Sequence, residues 1–470
     1  MKAEKHGKHY GGQSVTQKQK KSTRSHGLSG RTNYSNRYSQ RIQTRFDLPH
    51  ISLFKPQNNN TEVVWIWLRI YGMTDDSILV VTQYFPPETG ASQTRWDELT
   101  RRWSDEASVT VLTSAPDYPE GEIYDGYDND WLHHEKRGDV DVYYTKTITS
   151  SSGNLIRRSL KFVWFMLLSI VVGLRYTSPT VVVATSPQPL TGVSAWIIAR
   201  VKRATFVFEV RDLWPESILA VSDFDNEIII WTLERTVEFL YRRSDRLVVV
   251  SRAFIDPIVE TGVDRSKIAY HPNGIDLDFY QTEERDSQVV DELDDEFTIS
   301  YVGTIGRAHG LSVVLEAAPQ LENVQFVIVG DGAEREELES QARNLENVVF
   351  TGRRPKEEVP AILEHSDVAL VHLKPREVFE TVIPSKLLES MAASLPVILG
   401  VHGEAERILT EGEAGIVMEP GNAEELTAAA EQLRDNPAVR EEFAASGRDY
   451  VVKHFDWDTI AEEYLATVDR

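Results

Sequence analysis

The sequence predicts an α/β fold built on doubly wound parallel sheets. Three observations carry the expectation. Short, almost wholly apolar runs recur along the chain, helical patterns lie between several of them, and many of the runs open into turn residues. Strands alternating with helices imply a parallel, doubly wound sheet, and ligands of such sheets gather where the strands end.

The chain has 470 residues, enough for two or three domains. Its net charge of −23 is unevenly spread. Residues 1–72 carry 13 Lys and Arg against 3 acids, and residues 73–470 carry 37 against 70, with only 9 Lys among the 37. The second balance argues against nucleic acid as a partner. An acidic, lysine-poor surface resembles that of proteins from salt-loving organisms, where salt screens self-repulsion. The absence of Cys removes disulfides, a thiol nucleophile and thiolate metal sites. Residues 1–72 lack the apolar core and cleavage site of a secretory signal. They read as a disordered tail or translated upstream DNA, and alternatively as a basic arm for an anionic membrane. A chain beginning at Met73 is therefore expected to fold and work as the full chain does.

The first strand is Ile78–Val81. It opens into Gln83-Tyr84-Phe85-Pro86-Pro87-Glu88-Thr89-Gly90-Ala91, and a helix is expected over Thr94–Trp103. Strands follow at Ser108–Leu112, Val140–Thr145, Val181–Ala184, Phe206–Glu209 and Leu247–Val250. Residues 117–130 form a long aromatic connection suited to an acceptor-side loop. Phe162–Leu174 is the most apolar run, 13 residues long, well short of the ~20 needed to span a bilayer. Flanked by Arg157, Arg158 and Lys161, it reads as a membrane-surface helix or as a buried core helix, and the two are compatible. After the strand at Phe206, Arg211 and Asp212 stand where a cleft would receive them, or where an ion pair would cap the strand end.

In the second half, Ile299–Val302 leads into Gly303-Thr304-Ile305-Gly306-Arg307-Ala308-His309-Gly310, whose glycines let backbone approach a ligand closely. Val324–Val329 ends in Gly330-Asp331-Gly332, and Val348–Phe350 in Thr351-Gly352-Arg353. Val368–Leu373 precedes Phe379-Glu380-Thr381-Val382-Ile383-Pro384-Ser385-Lys386-Leu387-Leu388-Glu389-Ser390-Met391-Ala392. Pro384 suits a first helical turn, and Leu387, Leu388, Met391 and Ala392 give one buried helical face. Pro396 stops the helix before the strand Val397–Leu399. The helix start would favour a phosphate, Lys386 adds a full charge, and Glu389 one turn on could accept two hydrogen bonds from a ribose diol. The same stretch also reads as an ordinary amphipathic helix with a solvated Lys and Glu.

These residues resemble the nucleotide-sugar site of glycosyltransferase family 4, whose Pro-x-Lys-x-x-Glu-x-Met-Ala-x-x-x-Pro-Val stretch is matched from Pro384 to Val397. The resemblance covers nearly all of the chain after residue 73. It implies the GT-B fold, with two Rossmann-like domains facing across a cleft. The domains expected are a basic extension at 1–72, an acceptor-side domain at 73–280, whose His271-Pro272-Asn273-Gly274-Ile275-Asp276 resembles the hinge that enters the second domain, and an acidic linker at 281–296. A nucleotide-sugar domain follows at 297–454, then a helix at 455–470 crossing back to the first domain. Gly90 and Ala91 match a Gly-rich loop facing donor and acceptor. Gly303, Thr304, Gly306, Asp331, Gly352, Ser385 and Glu389 are the implied donor-binding positions, Gly352 serving the base through its turn's backbone. Lys386, Arg307, Asp212 and Glu380 are the implied catalytic positions. Departures are visible. Many members have Arg and Lys where this chain has Thr304 and His309, so Arg307 is a second cation out of register. Eight residues rather than seven separate Glu380 from Glu389, leaving Thr381 at the expected place. The Arg211-Asp212-Leu213-Trp214-Pro215-Glu216 string is similar to that of members related to bacterial fucosamine transferases of O-antigen and capsule assembly, where many other members have His.

The resemblance implies a retaining transfer of a hexose or N-acetylhexosamine from a nucleoside-diphosphate sugar, UDP-linked, to a lipid-linked or polysaccharide acceptor, with no metal or other cofactor. It implies a cytoplasmic enzyme, peripheral on the inner face of the membrane. No Asp-x-Asp stands where a metal would be needed. Two rivals remain: a nucleotide-sugar epimerase on the same fold, which needs no acceptor, and a non-catalytic partner in a glycan assembly complex.

Overall fold

The computed structural model describes residues 77–119, 121–149, 155–186, 188–215, 226–280 and 296–468. The readings for the basic extension, and for nearly all of the acidic linker, lie outside these residues. The chain after Thr74 forms one compact unit containing two α/β sheets.

The first sheet has eight strands: β1 (Ser77–Val81), β2 (Ser108–Ser114), β3 (Leu132–Arg137), β4 (Val140–Thr145), β5 (Val181–Thr185), β6 (Thr205–Val210), β7 (Arg246–Val249) and β8 (Ile268–Tyr270). Their order is β3-β4-β2-β1-β5-β6-β7-β8. All pairs are parallel except β3 with β4. The helices on this sheet include α1 (Ala91–Trp103), α2 (Leu155–Tyr176), α3 (Pro189–Lys202) and α4 (Glu227–Arg243). The strands at the centre bury both faces, as parallel strands between helix layers must: Ile78, Val80, Val111 and Val183 face α1, while Leu79, Val81, Val182 and Phe208 face α2, α3 and α4.

The second sheet has six parallel strands, β9 (Phe297–Val302), β10 (Val324–Val329), β11 (Val348–Gly352), β12 (Val368–His372), β13 (Val397–Gly400) and β14 (Gly415–Val417), in the order β11-β10-β9-β12-β13-β14. Its helices include α5 (Ser312–Ala317), α6 (Ser385–Ala392), α7 (Glu404–Glu411), α8 (Ala423–Asp435) and α9 (Pro437–His454). The order reverses direction between β9 and β12. That switch point opens a crevice at the carboxyl ends of the strands, the usual place for a ligand in an open α/β sheet. Helix α10 (Trp457–Val468) leaves this half and packs on the first sheet, where Trp457, Ile460, Ala461, Tyr464 and Leu465 join the cluster around Trp96 and Trp103.

Three features differ from the sequence reading. Strand β3, Leu-His-His-Glu-Lys-Arg, forms an antiparallel edge; it has no apolar run because an edge strand buries little. Strand β14 has three residues, too short to show a period. Helix α2 has 22 residues rather than 13, because good helix formers continue past both ends of the apolar run. Its Arg157–Tyr176 stretch is long and apolar enough to cross a membrane by length and composition alone.

Arg95 of α1 joins β6 to the segment at 271–273 by which the chain leaves the first sheet. Both Arg95 and Glu209 of β6 are fully buried. Arg95 Nε and Nη2 donate to Glu209 Oε2 at 3.0 and 2.8 Å, Nη2 to the His271 carbonyl at 2.8 Å, and Nη1 to the Pro272 carbonyl at 2.5 Å and Asn273 Oδ1 at 3.4 Å. Replacing Arg95 with Met strands a buried carboxylate and is expected to cost about 3–5 kcal/mol. Urea denaturation will read the loss, and the double variant Arg95→Met/Glu209→Met should recover part of it.

Candidate functional site

At the switch point, β9 ends in Gly303 and β12 leads through a helical turn, Glu377–Glu380, into α6. Gly303 has φ 143°, and a Cβ there would lie 2.9 Å from Lys386 Nζ. Glycine is thus required for the α6 lysine to reach under the β9 loop. Gly330, after β10, has φ 147°, and a Cβ would fall 1.8 Å from the Gly303 carbonyl oxygen. The Gly303 N–H donates to the Val329 carbonyl at 2.9 Å and that of Ile305 to the Asp331 carbonyl at 3.0 Å, so the loops after β9 and β10 are held together. The Asp331 carboxylate accepts from the Gly332 N–H at 2.8 Å.

Lys386 Nζ donates to the Tyr301 hydroxyl at 2.7 Å and lies 4.0 Å from that ring's centre. The Tyr301 hydroxyl in turn donates to the Thr304 carbonyl at 2.6 Å. An ammonium has three N–H donors, so two remain for other acceptors. Burial lowers the Lys386 pKa to about 8, with Glu389 acting in the opposite sense. Burial likewise raises Glu389, against the lowering effect of a Ser385 hydrogen bond and of Lys356 and Lys386. Ser385, Lys386 and Glu389 therefore form one group at the start of α6. Pro384 takes the N-cap place, one residue earlier than the sequence suggested.

The Gly306–Gly310 loop is anchored to the end of β12. The Lys374 N–H donates to the Ala308 carbonyl at 2.8 Å. His372 Nε2 accepts from the Gly421 N–H at 2.8 Å. Its Nδ1 must then carry the proton, donated to the His309 carbonyl at 2.6 Å. Both histidines are held neutral. Burial lowers His372, and burial with Lys386, His372 and Lys374 lowers His309 to about 4. Arg307 is exposed on the same loop and has no hydrogen bond or ion pair among the described residues. Gly352 has φ 74°, and the Arg335 guanidinium lies 3.2 Å from where its Cβ would be.

Glu380 is exposed. Its carbonyl lies against Gly403, where a Cβ would come within 2.1 Å, so the segment before α6 rests on the loop before α7. In the first sheet, Gly90, with φ 153°, and Ala91 are exposed at the start of α1. The backbone N–H groups of Arg211 and Asp212 donate to Ser186 Oγ at 2.7 and 3.3 Å. Burial raises the Asp212 pKa against the opposing Arg211, and Asp212 lines a small void with Phe208, Trp214, Val237 and Tyr241. Burial lowers Arg211, with Glu209 raising it and Arg95 lowering it further. Among the described residues no hydrogen bond or ion pair joins Asp212, Glu380 or Arg307 to Lys386, and no three His, Asp or Glu side chains are grouped to hold a metal.

Residues overlooked in the sequence are Tyr301, His372 and a cluster beside Gly90. There Glu88 Oε1 accepts from the N–H groups of Asp117 and Tyr118, each at 2.9 Å. Burial raises Glu88 to about 7, with those two bonds opposing. Lys161, read as part of a basic flank, is instead buried and paired with Asp117. Only its position opposite apolar Phe165 and Leu168, one and two turns on, could have hinted at this.

Tyr301→Phe keeps the ring beneath Lys386 and removes the hydroxyl. A hydrogen bond to a charged group is worth about 1.5–3 kcal/mol. The expected result is roughly a tenfold or greater loss in donor-dependent kcat/KM, with the melting temperature little changed.

The chain matches two family models, "Glycosyl transferase 4-like domain" over residues 90–274 and "Glycosyl transferases group 1" over residues 282–450. It is 19% identical over 403 residues to an uncharacterised glycosyltransferase of Methanocaldococcus jannaschii, covering 84% of this chain and 98% of the relative. It is 24% identical over 378 residues to the putative colanic acid biosynthesis glycosyl transferase WcaI of Escherichia coli, covering 76% and 90%. Among solved structures, Anabaena HepE in complex with UDP superposes with a TM-score of 0.61 at 17% identity, covering 84% of this chain and 99% of that one. Sucrose-phosphate synthase of Thermosynechococcus elongatus gives 0.63 at 17%, covering 83% and 98%.

Proposed function

The chain is a GT-B glycosyltransferase of the family 4-like group, and from that premise we propose that it transfers a hexose or N-acetylhexosamine, with retention, from a UDP-linked donor to a lipid-linked or polysaccharide acceptor in cell-surface glycan assembly. The observation that carries the donor reading is the grouping of Lys386, Ser385 and Glu389 at the switch point, with Gly303 leaving room for Lys386. Lys386 and the free N–H groups of α6 stabilise the departing diphosphate, and the exposed Arg307 is the mobile second cation. Glu389 accepts from the ribose diol. Gly303, Thr304 and Gly306 approach the phosphates, Asp331 supports that loop, and the turn at Gly352 meets the base. Gly90 and Ala91 face the donor sugar across the cleft, and Asp212 and Glu380 are its candidate carboxylates. WcaI, named for colanic acid biosynthesis, supports a glycan acceptor, and the UDP complex of HepE supports the nucleotide. The acidic, lysine-poor composition supports a salt-adapted setting.

Lys386→Ala is expected to lower kcat by on the order of a hundredfold or more while the fold stays intact. Near-normal activity would remove the diphosphate assignment. Binding of the anionic donor needs Lys386 charged. Its lowered pKa therefore sets an alkaline limb: kcat/KM for the donor should fall as pH rises through about 8, and Lys386→Arg should move that limb upward.

Retention is the second arm. Retaining hydrolases commonly set two carboxylates about 5 Å apart, one as nucleophile. Asp212 belongs to the first sheet's loops and Glu380 to the second's, and no contact pairs them. A front-face route fits better: the departing diphosphate takes the acceptor's proton as the new bond forms on the same side. An α-linked donor should give an α-linked product in buffer containing chelator, read by the anomeric proton signal. A β-linked product, or activity lost to chelator and restored by metal, would overturn it.

A further inference from the structure

Helix α2 has one face committed to the core and one without protein cover. Inward, Phe165, Leu168, Ser169 and Val172 are buried, Lys161 pairs with Asp117, and Gly173 lies so close to α3 that a Cβ would be 2.5 Å from Ile198 Cδ1. Outward, Leu160, Val163, Leu167 and Val171 are exposed, the last two by 50% and 61%. Beyond α3, joined to it by Trp196 against Phe239 at 4.9 Å, α4 exposes Ile228, Ile229 and Trp231, with Ile228 at 75%. Trp131, also exposed, packs its ring on Trp164 of α2. Single exposed apolar residues are ordinary; a run along two helices of one layer is not.

Charge points to the occupant. Residues 142–208 contain no Asp or Glu and eight Lys or Arg, within a chain of net charge −23. This segment carries the end of β4, all of α2, β5 and all of α3. The acids of α4, Glu227, Glu234 and Glu238, are matched by Arg235, Arg242 and Arg243, and Glu238 pairs with Arg235. Orientation adds a third argument. Helices of a parallel sheet run opposite to its strands, so α2 and α4 begin at the carboxyl edge, the edge that carries Gly90 and Asp212.

We propose that this face of α2 and α4 docks on the surface of an anionic bilayer, with α2 lying in the interface rather than crossing it, so that a lipid-borne acceptor reaches the Gly90 edge from the membrane. The proposal rests on the preceding reading only for that last clause. Lys161, Ser169 and Gly173 fix the inward face of α2 to the fold, which excludes spanning without unfolding this half. An apolar face beside basic residues is the composition of interfacial helices.

The test is co-sedimentation of the full chain with vesicles of phosphatidylcholine, alone or mixed with phosphatidylglycerol, at low and high salt. Binding is expected to favour the mixed vesicles at low salt, and alkaline carbonate should release the protein. Leu167→Glu/Val171→Glu, and separately Trp231→Glu, should lower the bound fraction several-fold, with melting temperature and calorimetric UDP binding unchanged. Variants that bind as the parent would place the contact in residues 1–72 and overturn the proposal. Resistance to carbonate would overturn it in favour of a spanning helix. Absence of vesicle binding, with a concentration-dependent dimer that the same substitutions abolish, would overturn it in favour of a second copy. Intact vesicle binding without UDP binding would leave the docking supported and overturn the donor reading instead.

Discussion

One guanidinium ties the first sheet to the two segments, at 271–274 and in α10, that cross between the halves. Arg95 spends all five of its N–H donors inside the protein, on Glu209, the His271 and Pro272 carbonyls and Asn273. The second oxygen of Glu209 accepts from Thr185. A buried ion pair repays its desolvation only when the remaining donors and acceptors are met, and here they are. The Tyr464 ring of α10 lies over Arg95 at 5.8 Å and stacks on His271. Gly274 allows the passage, since a Cβ would meet the Trp457 ring at 2.6 Å. Helix α1, strand β6, the crossing at 271–274 and α10 thus converge on one side chain. Because Gly90 caps the start of α1, with the Thr94 N–H bonded to the Gly90 carbonyl, the same side chain anchors the helix that the Gly90 turn opens.

The parts of the fold legible in the sequence were those encoded locally. Ile78–Val81, wholly apolar, and Val324–Val329, apolar but for Gln325, read as buried strands, and the structure buries both. Lys386 and Glu389 could be read from spacing, since three positions on a helix share one face. What escaped was encoded at a distance. Tyr301 matters because it meets Lys386, 85 residues away, and Lys161 because it meets Asp117, 44 residues away. No period or motif announces such a pairing. Lys161 is instructive: beside Arg157 and Arg158 it looked like solvated charge, while its helical position points it into the protein. The β3 edge escaped for the opposite reason, having too little burial to leave a pattern.

The proposed donor site offers a way for an acidic protein to accept an anionic substrate. A dianionic diphosphate approaching a surface of this charge meets repulsion, which salt screens beyond about 10 Å at 0.1 M. Inside that distance the local groups decide. Lys386 is half-buried, its charge held at a cost that its lowered pKa records. A charge kept in a poorly solvated place is worth more to a transition state than one in water, because less solvent competes for it. Arg307, exposed on its loop, has the opposite character: its charge costs little to hold and is weakened by competing solvent. His372, kept neutral by burial, adds hydrogen bonds to the frame without adding charge, and His309, also neutral, supplies its backbone carbonyl to one of them. With Thr304 and His309 in place of the family's cations, the proposed clamp has one half-buried cation, Lys386, and one exposed one, Arg307. On the proposed donor reading, a phosphate bound between α6 and the Gly306–Gly310 loop would complete that charge.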